Sequence, residues 1–112
     1  LDLFPQSFGH TLVIPKRSAA CNILDVDTDA LAKVMALVQK LTRVIVDELQ
    51  PDGVQVAQFN GAPAGQTVFH IHVHIVPRYS GEGLGIHAAG KADPADLEKL
   101  QARLQQRIAT QG

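Results

Sequence analysis

Three of the chain's five histidines, His70, His72 and His74, stand at alternate positions in one apolar run, "GQTVFHIHVHIVPR", residues 65–78. If that run is a strand, side chains alternate between its two faces. The three imidazoles then share one face, about 6.5–7 Å apart, and Phe69, Ile71, Val73 and Ile75 share the other. The apolar set reads as the core face. Solvent faces of strands usually carry Thr, Lys, Glu or Ser, so three histidines in strict alternation point to chemistry rather than decoration. Two chemistries use such a set. Neutral imidazoles at i and i+2 on a strand can bind zinc, although this segment supplies no neighbouring carboxylate or cysteine. Alternatively, one imidazole, with an ordinary pKa of about 6.5, attacks an electrophile and carries a covalent intermediate. Against an anionic phosphate, a neutral imidazole serves better than a carboxylate, because it is not repelled.

The rest of the chain must position that run. "HTLVIP", residues 10–15, is β-branched and stopped by a proline, and it predicts a strand. Asp27 or Thr28 can cap a long amphipathic helix whose apolar stripe is Leu31, Val34, Val38, Leu41, Ile45 and Leu49, ended by Pro51 and Gly53. "VQVAQFN", residues 54–60, alternates like a half-buried strand. The glycine-containing loop "NGAPAG" follows, then the histidine strand, which we expect to close at Pro77. Asp93 and Pro94 open a second helix with Leu97, Leu100, Leu104 and Ile108 on one face. This order predicts an α+β domain with an antiparallel sheet, one long helix and a C-terminal helix.

With 112 residues the chain has room for one hydrophobic core. An apolar fraction of 46%, a charged fraction of 19% and a formal charge of -1 describe an ordinary globular protein, with no general field to attract nucleic acid or an anionic membrane. The longest apolar segment carries Lys33, Lys40, Arg43, Asp47 and Glu48, which argues against a membrane span. Cys21 is the only cysteine, so no internal disulfide forms, and we expect a cytoplasmic setting. Cys21 itself reads as a small packed residue rather than a second nucleophile.

"HIHVHIV", together with "GHTLVIPK" at 9–16 and "NGAPAGQTVFH" at 60–70, resembles the histidine triad (HIT) family of nucleotide hydrolases and transferases. The resemblance runs from about Leu1 to Arg78. It sets a domain at 1–80, followed by a loop and C-terminal helix at 81–112. It implies a sheet extended by homodimerisation and a reaction at the α-phosphate of a purine nucleotide or nucleotide derivative. His72 would be the nucleophile, with His74 and the distant His10 near the phosphate and His70 orienting the site. Gly65 and Thr67 match phosphate-contacting positions, acting through backbone N–H groups and the Thr hydroxyl, and Gln66 between them is a further substrate-binding candidate. Asp2 matches the position that binds ribose hydroxyls, work suited to a carboxylate. No metal or other cofactor is implied for catalysis.

The chain also departs from the pattern. The family fold usually opens with further strands ahead of the position of Leu1, and these supply much of the base pocket, so base preference is not legible. Phe59 stands where relatives often have an amide side chain, which leaves Asn60 as a substrate-binding candidate. Some bacterial relatives hold structural zinc with a Cys-x-x-Cys pair and a histidine after "IPK"; here those later positions are Arg17 and Ser18. His87, among glycines, reads as solvated. In the transferase branch Gln replaces the last histidine, whereas His74 keeps the hydrolase pattern. Phosphoramidates, dinucleoside polyphosphates and aminoacyl adenylates all fit as substrates. The competing classes are a nucleotide-binding sensor without turnover and a zinc-binding protein.

Overall fold

A computed structural model describes residues 1–2, 5–80 and 93–111. Strand β1 is Thr11–Val13, helix α1 Thr28–Leu49, strand β2 Gly53–Ala57 and strand β3 Val73–Arg78, with a single 3-10 turn at Ala62–Ala64 before β3; helix α2 is Pro94–Gln111. The strands form one antiparallel sheet in the order β1-β3-β2. The architecture is the α+β one that the element order predicts.

Asp27 begins α1: its carboxylate accepts from the Ala30 N–H at 3.2 Å and satisfies a donor that the first helical turn leaves unpaired. The helix ends where Gln50 takes a left-handed conformation (φ 50°, ψ 51°) and returns its N–H to the Val46 carbonyl. The Gln50 amide covers the Val46 and Asp47 carbonyls as well. Val34, Val38, Val44 and Ile45 of α1 are buried against Val13, Val73 and Ile75 of the sheet. Leu100 and Leu104 of α2 close the same core, while Arg103 and Arg107 grip Glu48 of α1. These guanidiniums, Arg107 foremost, hold the Glu48 carboxyl below its usual range. No helix among the described residues is long and apolar enough to cross a membrane.

Register decides which face is left for chemistry. Val73 pairs with Val13 and Ile75 with Thr11 and Val56, and that face meets α1. His74 pairs with Leu12 and Ala57, so it lies on the opposite face.

Several boundaries differ from the sequence reading, each for a physical reason. The first strand is shorter than 10–15, because Pro15 has no N–H to continue the ladder. As β1 ends at the Val13–Val73 pair and β2 at the Ala57–His74 pair, His70 and His72 lie beyond the sheet rather than inside a strand. Phe69 is accordingly 58% exposed and not a core residue, although Ile71 is buried. The strand expected over 54–60 stops at Ala57, leaving Phe59 and Asn60 in the following loop. Conversely, β3 does not close at Pro77 but runs through it to Arg78. Pro77 faces the side on which β1 has already ended, so its missing N–H breaks no ladder bond, and its carbonyl accepts from the Ser7 hydroxyl. His87 lies outside the described residues.

Candidate active site

Because the sheet ends before residue 72, another segment has to carry the backbone of residues 66–71. The loop at 18–21 does so through its carbonyls. Ala20 accepts from the Ile71 N–H at 2.9 Å, Cys21 from the Gln66 amide at 2.7 Å, and Ser18 from His70 Nε2 at 2.7 Å. That loop is in turn wound around Asp25, whose carboxylate accepts the N–H groups of Asn22 and Cys21 and is held below its usual pKa by them. Gln66 is the hub. Its buried side chain accepts from Gly61 N–H at 2.8 Å and from the Asn22 amide, and it donates to the Cys21 and Val68 carbonyls.

His70 therefore serves through its surroundings. Its ring is tied to Ser18, while its carbonyl accepts from His72 Nδ1 at 2.7 Å. A carbonyl can only accept, so Nδ1 of His72 must carry a proton. In the neutral ring the lone pair is then at Nε2. His72 packs edge-on to His74, with ring centroids 4.9 Å apart.

Behind His74 stands His10, which is only 2% exposed. Gly9, at φ +93°, turns the chain into it; a Cβ there would press on Leu49 and Pro77. The Gln6 backbone N–H donates to His10 Nδ1 at 3.0 Å, which leaves Nε2 as the protonated nitrogen. Nε2–H in turn donates to His74 Nδ1 at 3.0 Å. His74 therefore accepts at Nδ1 and carries its own proton at Nε2, as a donor. Protonation states are thus ordered along the series Gln6, His10, His74. Burial is the main influence on His10 and holds it below the ordinary value of 6.5; the Asp2 carboxylate opposes this, and the charge of Arg78 reinforces it.

The structure brings His72, His74 and His10 together and adds the Asp2 carboxylate, 3.5 Å from His10 Nε2. His10 sits behind His74 with both ring nitrogens engaged, and His70 is turned to Ser18, so neither flanks His72 as His74 does. Thr67 is exposed. The Gly65 and Gln66 N–H groups close the 3-10 turn onto Ala62 and Gly61. The Asn60 side-chain oxygen, Oδ1, accepts from Ile23 N–H and the Gln58 amide, so that oxygen braces a loop. Phe59 packs its ring on His74 at 5.3 Å. The role of the Gln6 N–H was not legible in the sequence, since a backbone group leaves no side-chain signal; "PQSFGH" marks only a turn.

Asp2, His10 and His74 each offer a ligand atom within 4.8 Å of the others, a donor set that zinc could use. The hydrogen bonds oppose it. The Gln6 N–H occupies His10 Nδ1, so a cation at Nε2 would have to displace the only ring proton or break the Gln6 contact. The cluster as arranged suits a proton better than a metal.

A small antiparallel sheet backed by one long helix, with linked histidines at the mouth of its central strand, defines the class. The HIT domain model matches residues 1–81, and the chain belongs to the HIT family. It is 42% identical over 115 aligned residues to "Protein hit" of Bacillus subtilis, covering 98% of this chain and 78% of that protein. The crystal structure of a HIT-like protein from Bartonella henselae, described as involved in cell-cycle regulation and bound to an unknown ligand, superposes with a TM-score of 0.88 at 39% identity; the match covers 96% of this chain and 76% of that one. A hypothetical histidine triad nucleotide-binding protein from Sulfolobus tokodaii superposes at 0.87 with 34% identity, over 98% of this chain and 76% of its own.

Proposed function

We propose that the chain hydrolyses a nucleotide derivative at its α-phosphate through a nucleotidyl-His72 intermediate. The observation that carries this reading is the bond from His72 Nδ1–H to the His70 carbonyl, which leaves the Nε2 lone pair for attack. In the first step His72 Nε2 bonds to the α-phosphorus as the bond to the leaving group breaks, and the leaving group takes its proton from water. In the second step a water oxygen bonds to phosphorus and the P–N bond breaks. The electron pair returns to Nε2 and the water's proton goes to solvent. His74 Nε2–H serves as donor to a non-bridging phosphoryl oxygen, where charge builds up in both steps. In this reading Asp2 accepts ribose hydroxyls and the Thr67 hydroxyl donates to the phosphate. Gly65, Gln66 and Asn60 support these groups by holding the loop. A purine nucleotide fits the nucleotide-binding description of the Sulfolobus relative.

The test is direct trapping. The protein is incubated with an adenosine phosphoramidate, quenched in base and mapped by mass spectrometry. The expected result is an adduct on His72, with turnover abolished and nucleotide affinity within about tenfold in His72→Ala. An adduct on His70, His74 or Cys21 would overturn the assignment. Binding without any adduct or turnover would favour the nucleotide sensor.

The same reading includes a homodimer. Met35 and Val46, on one face of α1, and Val56 of β2 are between 38% and 46% exposed, apolar surface suited to a two-fold contact.

A further inference from the structure

We propose that Arg78 is a positioning residue that sets the proton of the His10–His74 pair, acting through Gln6; this rests on the catalytic reading above. His74 and Arg78 lie four residues apart on β3 and share its histidine-bearing face. From there Arg78 Nη2 donates to Gln6 Oε1 at 2.8 Å and to Gln55 Oε1 at 3.0 Å, while its Nε reaches the same Gln55 oxygen at 3.3 Å. Gln55 on β2 steadies the guanidinium, and the guanidinium steadies Gln6. The Gln6 backbone N–H is the group that selects the His10 tautomer.

The neighbouring residues of the strand hold the same turn. The Pro77 carbonyl takes the Ser7 hydroxyl, and the Tyr79 hydroxyl donates to the Phe8 carbonyl at 2.9 Å. One end of β3 thus grips residues 6–8 while its other end presents His74. A single strand sets both members of the histidine pair.

The consequence is chemical rather than only structural. If the Gln6 N–H leaves Nδ1, His10 is free to move its proton there and to accept from His74 at Nε2. The His74 proton would then sit at Nδ1, and its Nε2 would face the phosphate as a lone pair instead of a donor. The charge of Arg78 acts in the same direction, because it disfavours a second proton on His10, against the Asp2 carboxylate. His74 is the remaining titratable group facing that ring. Lysine cannot replace this arrangement, since it offers a point charge without the planar fork that reaches two amide oxygens.

The experiment measures nitrogen-15 imidazole shifts of the full chain and, in parallel, phosphoramidate turnover against pH. In the parent protein we expect a protonated Nε2 on both His10 and His74. Arg78→Gln, Arg78→Lys and Gln6→Leu should each give mixed tautomers on the two rings and lower kcat roughly ten- to a hundredfold with little change in KM. Gln6→Glu keeps an acceptor for Arg78 and should retain the parental shifts. Arg78→Gln should also move the acidic limb of the rate profile to higher pH, and Arg78→Lys should not. Unchanged single tautomers in folded Arg78→Gln and Gln6→Leu proteins would overturn the proposal. A parent protein that turns over no nucleotide, yet loses its tautomers on Arg78→Gln, would sink the catalytic reading and leave the positioning of His10 standing.

Discussion

His70 and His72 each spend one ring N–H on a backbone carbonyl, and what sets His72 apart is that the held nitrogen is Nδ1 rather than Nε2. His70 Nε2 is tied to Ser18 and His74 Nδ1 accepts from His10, whereas His72 has its Nδ1–H spent on the His70 carbonyl. On the mechanism proposed above the nucleophilic nitrogen is His72 Nε2, which keeps its lone pair. On the proposed mechanism His74 is the donor, so His74→Ala should lower kcat by roughly a hundredfold, the equivalent of about 3 kcal/mol for a lost transition-state donor. Stopped-flow turnover measures this, and a loss below threefold would remove His74 from the phosphoryl contact. His10 makes a different prediction. Its pKa is lowered in the folded state, so the unfolded chain binds a proton that the folded chain refuses. Stability should therefore be complete above about 6.5 and should fall as pH drops from there towards the depressed folded value. Urea midpoints at about pH 5 and about pH 7.5 should differ, and His10→Asn should flatten that difference.

At the scale of elements, the site is a loop held against a sheet mouth. Neither β1 nor β2 reaches residues 70–72, and Gln66 with the 18–21 carbonyls replaces the missing ladder. A buried amide with all its capacity engaged is costly to remove, because its partners remain. Gln66→Ala strands the Gly61 N–H and the Cys21 and Val68 carbonyls. We expect a loss of about 1–3 kcal/mol in urea denaturation, with kcat reduced as the loop loosens. A Gln66→Ala protein as stable as the parent would show that water replaces the hub. The Arg103 and Arg107 contacts to Glu48 fasten α2 beside Leu100 and Leu104, and the apolar pair carries more of that docking than exposed ion pairs do.

On the scale of the whole molecule, the two sheet faces divide the labour. One packs on α1 and forms the core, and the other carries His74. Apolar side chains remain exposed on α1 and β2, and a second copy is the partner proposed for them. Light scattering at micromolar concentration should give the mass of two chains, and Met35→Glu or Val56→Glu should shift it towards one. A parent protein that stays monomeric at those concentrations would refute the dimer.

The sequence by itself determined the α+β class, the extent and apolar stripe of α1, and the inward face of α2, because these follow from periodicity and local capping chemistry, and it narrowed the α1 cap to Asp27 or Thr28, of which the structure uses Asp27. It also determined the family, since "HIHVHIV" and its companion motifs are local strings. What only the tertiary structure decided was which histidines meet. Alternation along a chain predicts a shared face only while a ladder holds the backbone extended. That ladder ends at Val73 because Pro15 stops β1 and β2 stops at Ala57, so His70 turns to Ser18. His10 reaches His74 across 64 residues of chain, and the Gln6 N–H that orders their protons is a main-chain group. No side-chain pattern encodes such a contact; it exists only once the strand and the turn are packed together.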